Sequence, residues 1–310
     1  MGGKVDILLA TYNGGRFLSL LLDSIVAQTH SDWRLLVRDD GSNDDTLDII
    51  KQFITMHGAD IQIIDDGGIK LGACGSFAEL MRYSGSEYIA FCDQDDCWRP
   101  EKLKLQLAAI KQLESVHGKA KPILVHTDLE VVDEKLDTLD ESFWHYQNLK
   151  PAAMQHLERL LVQNCVTGCA TMINGALKLR ALPISERAIM HDWWLALVAS
   201  ACGVIAQLDI TTVRYRQHGA NQLGARQWGA AYILKLAMES GESYRQRLMA
   251  TYQQAEGLLE SVDLDEGSSQ IVRRYTGIPG CGYMQKRIAV IKNGFLKMGL
   301  IRNLAYLFWL

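Results

Sequence analysis

Short apolar runs rich in β-formers alternate with longer amphipathic stretches through the first third of the chain. Lys4–Ala10 predicts a strand, Gly15–Gln28 a helix with Phe17, Leu20, Leu21, Ser24 and Ile25 on one face, and Trp33–Arg38 the next strand. The pattern continues with a helix over Asp44–His57, a strand over Ile61–Ile64, a helix over Ser76–Ser84, a strand over Glu87–Cys92 and a helix over Pro100–His117. Such alternation implies βαβ units and a mainly parallel, doubly wound α/β sheet. From Pro122 the spacing changes. Strands are expected at Pro122–Thr127, Cys169–Asn174, Val204–Leu208 and Thr211–Arg216, a polar turn region at Asp128–Leu139, and helices at Gln155–Gln163 and His191–Cys202. After Gly224 the chain reads as helical, over Ala230–Ser261 with a break at Gly241 and in one final run from Tyr283 to Leu310. The expected organisation is an α/β domain over 1–224, with halves of about 1–120 and 121–224, and a helical C-terminal region over 225–310 without a flexible linker.

Ligands of doubly wound sheets bind beyond the carboxyl ends of the strands, and the polar loops fall there. The first strand runs into Ala10-Thr11-Tyr12-Asn13-Gly14-Gly15, the second into Asp39-Asp40-Gly41-Ser42, and the fourth into Asp93-Gln94-Asp95-Asp96. Each loop alone reads as an ordinary turn; three of them on one sheet edge suggest a site. Alternate carboxylates after a buried strand suit a hard, oxygen-liganded Mg²⁺ or Mn²⁺, and no histidine or thiol cluster with ligand spacing competes. An ion held by so few carboxylates fills its shell with water and phosphate oxygens, so a nucleotide diphosphate is the expected guest. Tyr12 can stack on a base, and Asp39 or Asp40 can accept from a base or a ribose. Downstream, His191-Asp192-Trp193-Trp194 opens a helix. Asp192 there is either an N-terminal cap or an ionised carboxylate between tryptophans, suited to taking a proton from a sugar hydroxyl. Arg214-Tyr215-Arg216-Gln217-His218 supplies donors for a diphosphate or a metal. Neither Gly-x-Gly-x-x-Gly nor a P-loop occurs, which excludes those phosphate cradles.

Composition narrows the classes. At 310 residues, 48% hydrophobic and 22% charged with 5 prolines, the chain has apolar surface enough to fold as a globule. A net charge of −4 argues against nucleic acid as partner. That average conceals seven basic residues and no acid from Ile271 to Leu310, which leaves −11 on residues 1–270. The seven cysteines lack Cys-x-x-Cys spacing and read as reduced thiols. The start of the chain is too short and too acidic in its apolar run for a signal peptide, and no stretch reaches the ~20 apolar residues of a membrane span. Placement on the cytoplasmic side is the resulting expectation.

Taken in order, Thr11-Tyr12-Asn13-Gly14, Asp39-Asp40-Gly41-Ser42, Asp93-Gln94-Asp95-Asp96-x-Trp98-x-Pro100-x-Lys102-Leu103, Gly168-Cys169, His191-Asp192-Trp193-Trp194 and Tyr215-Arg216-Gln217-His218-Gly219-x-Asn221 resemble a family 2 glycosyltransferase of the GT-A fold, in its rhamnosyltransferase-like branch. The resemblance covers Val5 to Gly224. It implies an inverting transferase that uses a nucleotide-diphosphate sugar and Mg²⁺ or Mn²⁺, with a donor half over 1–120 and an acceptor half over 121–224. Its implied sites are Thr11, Tyr12, Asn13, Asp40, Asp93 and Gln94 for the nucleotide, and Asp93, Asp95 and His218 for the metal. Asp192 is the implied catalytic base, with His191, Trp193, Trp194 and Arg216 toward acceptor and diphosphate. The branch implies L-rhamnose from dTDP-rhamnose, passed to a surface-polysaccharide or lipid-linked glycan. Lack of the processive Gln-x-x-Arg-Trp signature favours transfer of one residue. The loop Gly67–Gly75 carries Lys70 as its cation, of undefined role. A nucleotidyltransferase and a non-catalytic sugar-nucleotide-binding or scaffold protein stand as alternatives. The basic, apolar tail suits a membrane surface, the body or a homodimer contact.

Overall fold

The computed structural model describes residues 3–58, 60–219, 225, 227–229 and 241–310. The expected boundary at Gly224, Asn221 of the last motif, and residues 230–240 of the expected long helix lie outside the described residues.

Strand β1 (Val5–Thr11) shows how a run apolar on both faces becomes the centre of a sheet. Successive side chains point to opposite faces. Val5, Ile7 and Leu9 therefore enter one layer with Leu18, Leu21, Ile25, Ile50, Phe53, Leu107 and Ile110, while Leu8 enters the other with Phe77, Leu80, Phe91 and Trp194. The first layer is covered by α1 (Gly15–Val26), α2 (Thr46–His57) and α4 (Lys102–His117), and the second by α3 (Gly72–Tyr83) and α8 (His191–Cys202). Asp6, the one charge inside β1, is fully buried but held by Arg34 at 2.8 Å and by the Ser84 hydroxyl at 2.7 Å.

Around β1 stand β2 (Trp33–Asp39), β3 (Ile61–Ile63) and β4 (Tyr88–Asp93), all parallel in the order β3-β2-β1-β4. Beyond β4 the sheet continues through β8 (Thr171–Asn174), β6 (Ile123–Val132) and β9 (Val204–Arg216) to the short β5 (Cys97–Trp98), with β7 (Thr138–Asp140) paired to β6. Here β8 is antiparallel to both neighbours and β6 runs parallel to β9. Between β7 and α8 lie three short helices, α5 (Phe143–Tyr146), α6 (Leu157–Leu160) and α7 (Gly175–Ala181).

Two expectations fail in this half. Asp128–Val132 is strand rather than turn, because tertiary partners take its charges. Asp128 accepts from the Leu129 and Trp144 N–H groups, and Glu130 pairs with Arg99 and with Arg214. The two strands expected over 204–216 are one strand, whose pairing with β6 shifts register at Thr127–Leu129. The turn from α8 into β9 depends on Gly203, where an added Cβ would stand 2.0 Å from the Pro122 carbonyl oxygen. Gly203→Ala must displace backbone, so we expect a loss of about 3 kcal/mol, read as a lowered thermal midpoint with little change in the far-UV spectrum.

After residue 240 come α9 (Gly241–Ser261), α10 (Glu266–Thr276), α11 (Tyr283–Lys292) and α12 (Leu300–Trp309). Tyr244, Leu248, Tyr252, Leu258, Val272, Tyr275, Val290, Phe295 and Tyr306 join the layer that holds Leu8 and Trp194, so these helices share a core with the sheet. The single final helix expected from Tyr283 is two helices. Gly294 and Gly299 adopt φ of +73° and +79°, which stop one helix and set up the next. No helix among the described residues is long and apolar enough to cross a membrane.

Candidate active site

The carboxyl ends of β1, β2 and β4 meet the N-termini of α1, α3 and α8 at one edge. At β1, the Thr11 hydroxyl donates to Asp39 at 2.8 Å, and Asn13 takes the left-handed conformation (φ +50°) that asparagine tolerates. Asn13 also accepts from the Asn43 N–H and donates its own N–H to Ser42. Gly14 has no room for a side chain, since a Cβ would lie 2.3 Å from the Gln94 amide oxygen. Gln94 in turn clamps the Tyr12 backbone, accepting from its N–H at 2.8 Å and donating to its carbonyl at 3.0 Å. The Tyr12 ring is left half exposed, with the Lys70 ammonium 5.0 Å from its centroid.

The second loop is more tightly built than its sequence suggests. Asp39 accepts from Thr11, Ser42 and the Gly41 N–H, which makes it the organiser of its turn. Asp40 accepts from Arg38 at 2.7 Å and from the Leu71 and Gly72 N–H groups at 2.7 and 3.0 Å, and so ties β2 to the start of α3. Burial works against its ionisation, but those donors outweigh it and hold the carboxyl below the usual range. Arg38, buried and also bonded to Asp66 at 2.6 Å, was missed by sequence reasoning. The signal was a charge ending an apolar strand just before two acids.

Beside these loops lies a group of carboxylates. Asp192, in the first turn of α8, accepts from the Gly168 N–H at 3.1 Å and from its neighbour Trp193 N–H at 2.6 Å. Burial raises its pKa to about 6 against those two hydrogen bonds. Asp93, ending β4, is pushed up to about 7, first by burial and then by the charges of Asp95 and Asp192, against a hydrogen bond from Cys169. Asp95 meets His218 Nε2 at 2.7 Å, and the His218 ring lies against Phe17 at 4.8 Å. Cys74, at the start of α3, is near enough to Asp192 for that charge, after burial, to help raise its thiol to about 11. Position alone offered no sign of Cys74.

Three expected contacts, those of Trp194, His191 and Arg216, are corrected. Trp194 is fully buried and donates its indole N–H to the Ala181 carbonyl, so it anchors α8 and presents no face to a sugar. Trp193 is half buried with its N–H on the Leu160 carbonyl. His191 is buried against Phe77 and Phe91 without a hydrogen-bond partner, and burial lowers its pKa to about 3, which keeps it neutral. Arg216, 1% exposed, donates to the carbonyls of Asp95 and Glu134 at 2.8 and 2.6 Å. It therefore fixes the backbone of the acidic loop, its guanidinium taken up by carbonyls rather than turned to a diphosphate.

Burial and the neighbouring charges of Asp95 and Asp192 together raise Asp93, which is the electrostatic mark of a site whose charge a cation relieves, and oxygen donors from Asp93 and Asp95 with the His218 nitrogen beside Asp95 suit Mg²⁺ or Mn²⁺. The expectation that no thiol competes does not hold in space. Asp93, Asp96 and Cys169 place ligand atoms within 4.8 Å of one another. Asp96 and Cys169 are both fully buried, however, and burial keeps each in its protonated form. A thiol is a softer ligand than a carboxylate oxygen and suits a hard cation less well.

The sequence profile described as Glycosyl transferase family 2 matches residues 6–179, more than half of the chain. The chain belongs to glycosyl transferase family 2. Among curated relatives of this family 2 chain, an uncharacterised glycosyltransferase of Nostoc is 28% identical over 226 residues, covering 70% of the chain and 66% of that protein. A glucosyltransferase of Escherichia coli, named for UDP-Glc and an α-D-GlcNAc-diphosphoundecaprenol acceptor, is 33% identical over 104 residues, which are 34% of the chain and 40% of that protein. The dTDP-rhamnosyl transferase RfbG of Shigella flexneri is 23% identical over 77% of the chain and 82% of its own length. The chain thus spans from about two-fifths to two-thirds of the length of the first two of these relatives. Among solved structures, TarS 1–349 of S. aureus with UDP-GlcNAc superposes with a TM-score of 0.60 at 16% identity, over 94% of the chain and 79% of that protein. The mannosyltransferase PcManGT of Pyrobaculum calidifontis, with GDP-Man and Mn²⁺, gives 0.57 at 12% identity, over 94% and 74%. The family 2 chain has the GT-A fold of these neighbours.

Proposed function

We propose that this protein is an inverting, metal-dependent glycosyltransferase that moves one sugar from a nucleotide-diphosphate donor to a hydroxyl of a cell-envelope glycan. The observation that carries this reading is the Asp192 carboxyl, held by the Gly168 and Trp193 N–H groups within electrostatic reach of Asp93 and raised to about 6. A base with that pKa is ionised at neutral pH yet basic enough to accept a proton. In the proposed reaction Asp192 takes the acceptor's hydroxyl proton. The acceptor oxygen then attacks the anomeric carbon from the side opposite the diphosphate, and the bond to the diphosphate oxygen breaks with its electron pair. Mg²⁺ or Mn²⁺, held by Asp93 and Asp95 beside His218, would neutralise charge on the departing diphosphate. Tyr12 offers its exposed ring to the base, and Asp40 holds the loop opposite.

L-rhamnose from dTDP-rhamnose is the proposed donor group, supported by the Shigella relative. The acceptor is proposed to be a surface-polysaccharide or lipid-linked glycan such as an O-antigen intermediate, in line with the lipid diphosphate in the E. coli relative's name. The nucleotidyltransferase alternative needs a free cation for a triphosphate, and Lys70 is instead seated over Tyr12. A purely binding protein has no use for a raised base beside the Asp93 carboxylate.

The test is thermal stabilisation by nucleotide sugars with and without Mn²⁺, followed by release of nucleotide diphosphate. A midpoint rise with dTDP-rhamnose that requires metal, and turnover when acceptor is added, are the expected results. A response confined to UDP-hexoses reassigns the donor, and no response to any nucleotide sugar overturns the reading.

A further inference from the structure

The outward faces of α11 and α12 carry large, exposed apolar side chains with no partner upon them among the described residues. On α11, Met284, Ile288 and Ile291 follow each other at one-turn spacing and are 62%, 58% and 57% exposed. On α12, Leu300, Ile301, Leu304 and Phe308 share the face opposite Arg302 and Tyr306, and Phe308 is 71% exposed. Isolated apolar residues on a surface need no explanation, but aligned stripes do. The Arg287 guanidinium reaches the Phe308 carbonyl at 3.4 Å, which sets the end of one stripe beside the other. The inward faces are already occupied: Val290, Phe295 and Tyr306 lie in the core, and Arg302 donates to the carbonyls of Gln147, Asn148 and Met298. Among the described residues, packing within the fold therefore does not account for the outward stripes.

Charge selects the occupant. By helical geometry Arg287 and Lys292 flank the α11 stripe on its two sides, and residues 271–310 contain no acid at all. A second copy laid face to face would oppose cation to cation. A bilayer with anionic headgroups accepts both parts of the surface, since helices of this kind bury an apolar face at the headgroup boundary while lysine and arginine meet the phosphates. We propose that α11 and α12 together form a docking surface for an anionic phospholipid bilayer. This surface is built from residues outside the Asp93–Asp192 carboxylate group, so the proposal goes beyond the transferase reading and does not depend on it.

The test is flotation of the full chain with vesicles of equal parts phosphatidylglycerol and phosphatidylcholine, against vesicles of phosphatidylcholine alone. We expect binding to the anionic vesicles only, and its loss as salt rises toward about 1 M, where the screening length falls to about 3 Å. The pair Leu304→Glu with Phe308→Glu, and separately Arg287→Glu with Lys292→Glu, should each reduce bound protein at least about tenfold. Both pairs are exposed or half exposed, and an unchanged thermal midpoint and metal response would show that each variant is folded. Equal binding to both vesicle types, no binding to either, or indifference to both pairs overturns the proposal. So does a dimer in solution that the Leu304/Phe308 pair dissociates without any vesicle binding.

Discussion

Asp192→Asn is expected to lower kcat by between about a hundredfold and ten-thousandfold, the range a positioned general base contributes, while the nucleotide sugar still stabilises the fold. The amide keeps an oxygen for one of the Gly168 and Trp193 N–H groups and loses the charge. The pH profile supplies an independent readout. A base must be ionised to act, and burial places this one at about 6. Transfer in the native protein should therefore be steady near pH 8 and fall about tenfold for each unit below 6. The residual rate of the variant should lack that acid limb. Full activity in Asp192→Asn, or a native profile flat down to pH 4, would remove Asp192 from the reaction.

What the sequence made legible follows how local each cause is. The strands at Val5, Trp33, Ile61 and Tyr88 and the helix at His191 lie where the pattern put them, because apolar runs and periodicity are local signals. The turn expected at Asp128–Val132 failed because Asp128 and Glu130 are satisfied by Trp144, Arg99 and Arg214, residues up to 84 positions away. Helix α8 is apolar almost all round, so its sequence could place Asp192 at the N-terminus but could not say that Trp194 and His191 turn inward. The same holds for Arg216. A cation after a strand fits a diphosphate or a carbonyl cage equally well, and only the positions of Asp95 and Glu134 decide. The split of the C-terminal run was readable from Asn293-Gly294 and Met298-Gly299 and was outweighed by the apolar content around them. The basic excess of that region also needs revision, because Arg302 is buried among carbonyls and Lys297 sits against Tyr244 and Tyr306, which leaves fewer cations facing outward.

Removal of divalent metal, or Asp95→Ala, is expected to lower kcat/KM by at least about a hundredfold, since charge neutralisation at a departing diphosphate contributes several kcal/mol. The carboxyl cluster predicts how metal stabilisation of the fold varies with pH. Asp93 and Asp192 have folded-state pKa values of about 7 and about 6, both above the ordinary carboxylate range. A group raised in this way favours folding below its unfolded pKa and loses that contribution as pH rises through the folded value. Between pH 6 and 8 the protein without metal thus carries an increasing electrostatic cost, which a bound cation offsets. The rise in thermal midpoint with Mn²⁺ should accordingly be larger at pH 8 than at pH 6, and Asp93→Asn should remove most of that difference. Cys169→Ser separates the two donor sets. If Asp93 and Asp95 hold the ion, this variant keeps its Mn²⁺ response, because the buried thiol is not a ligand. If the response disappears with the thiol while Asp95→Ala retains it, the ion sits instead among Asp93, Asp96 and Cys169.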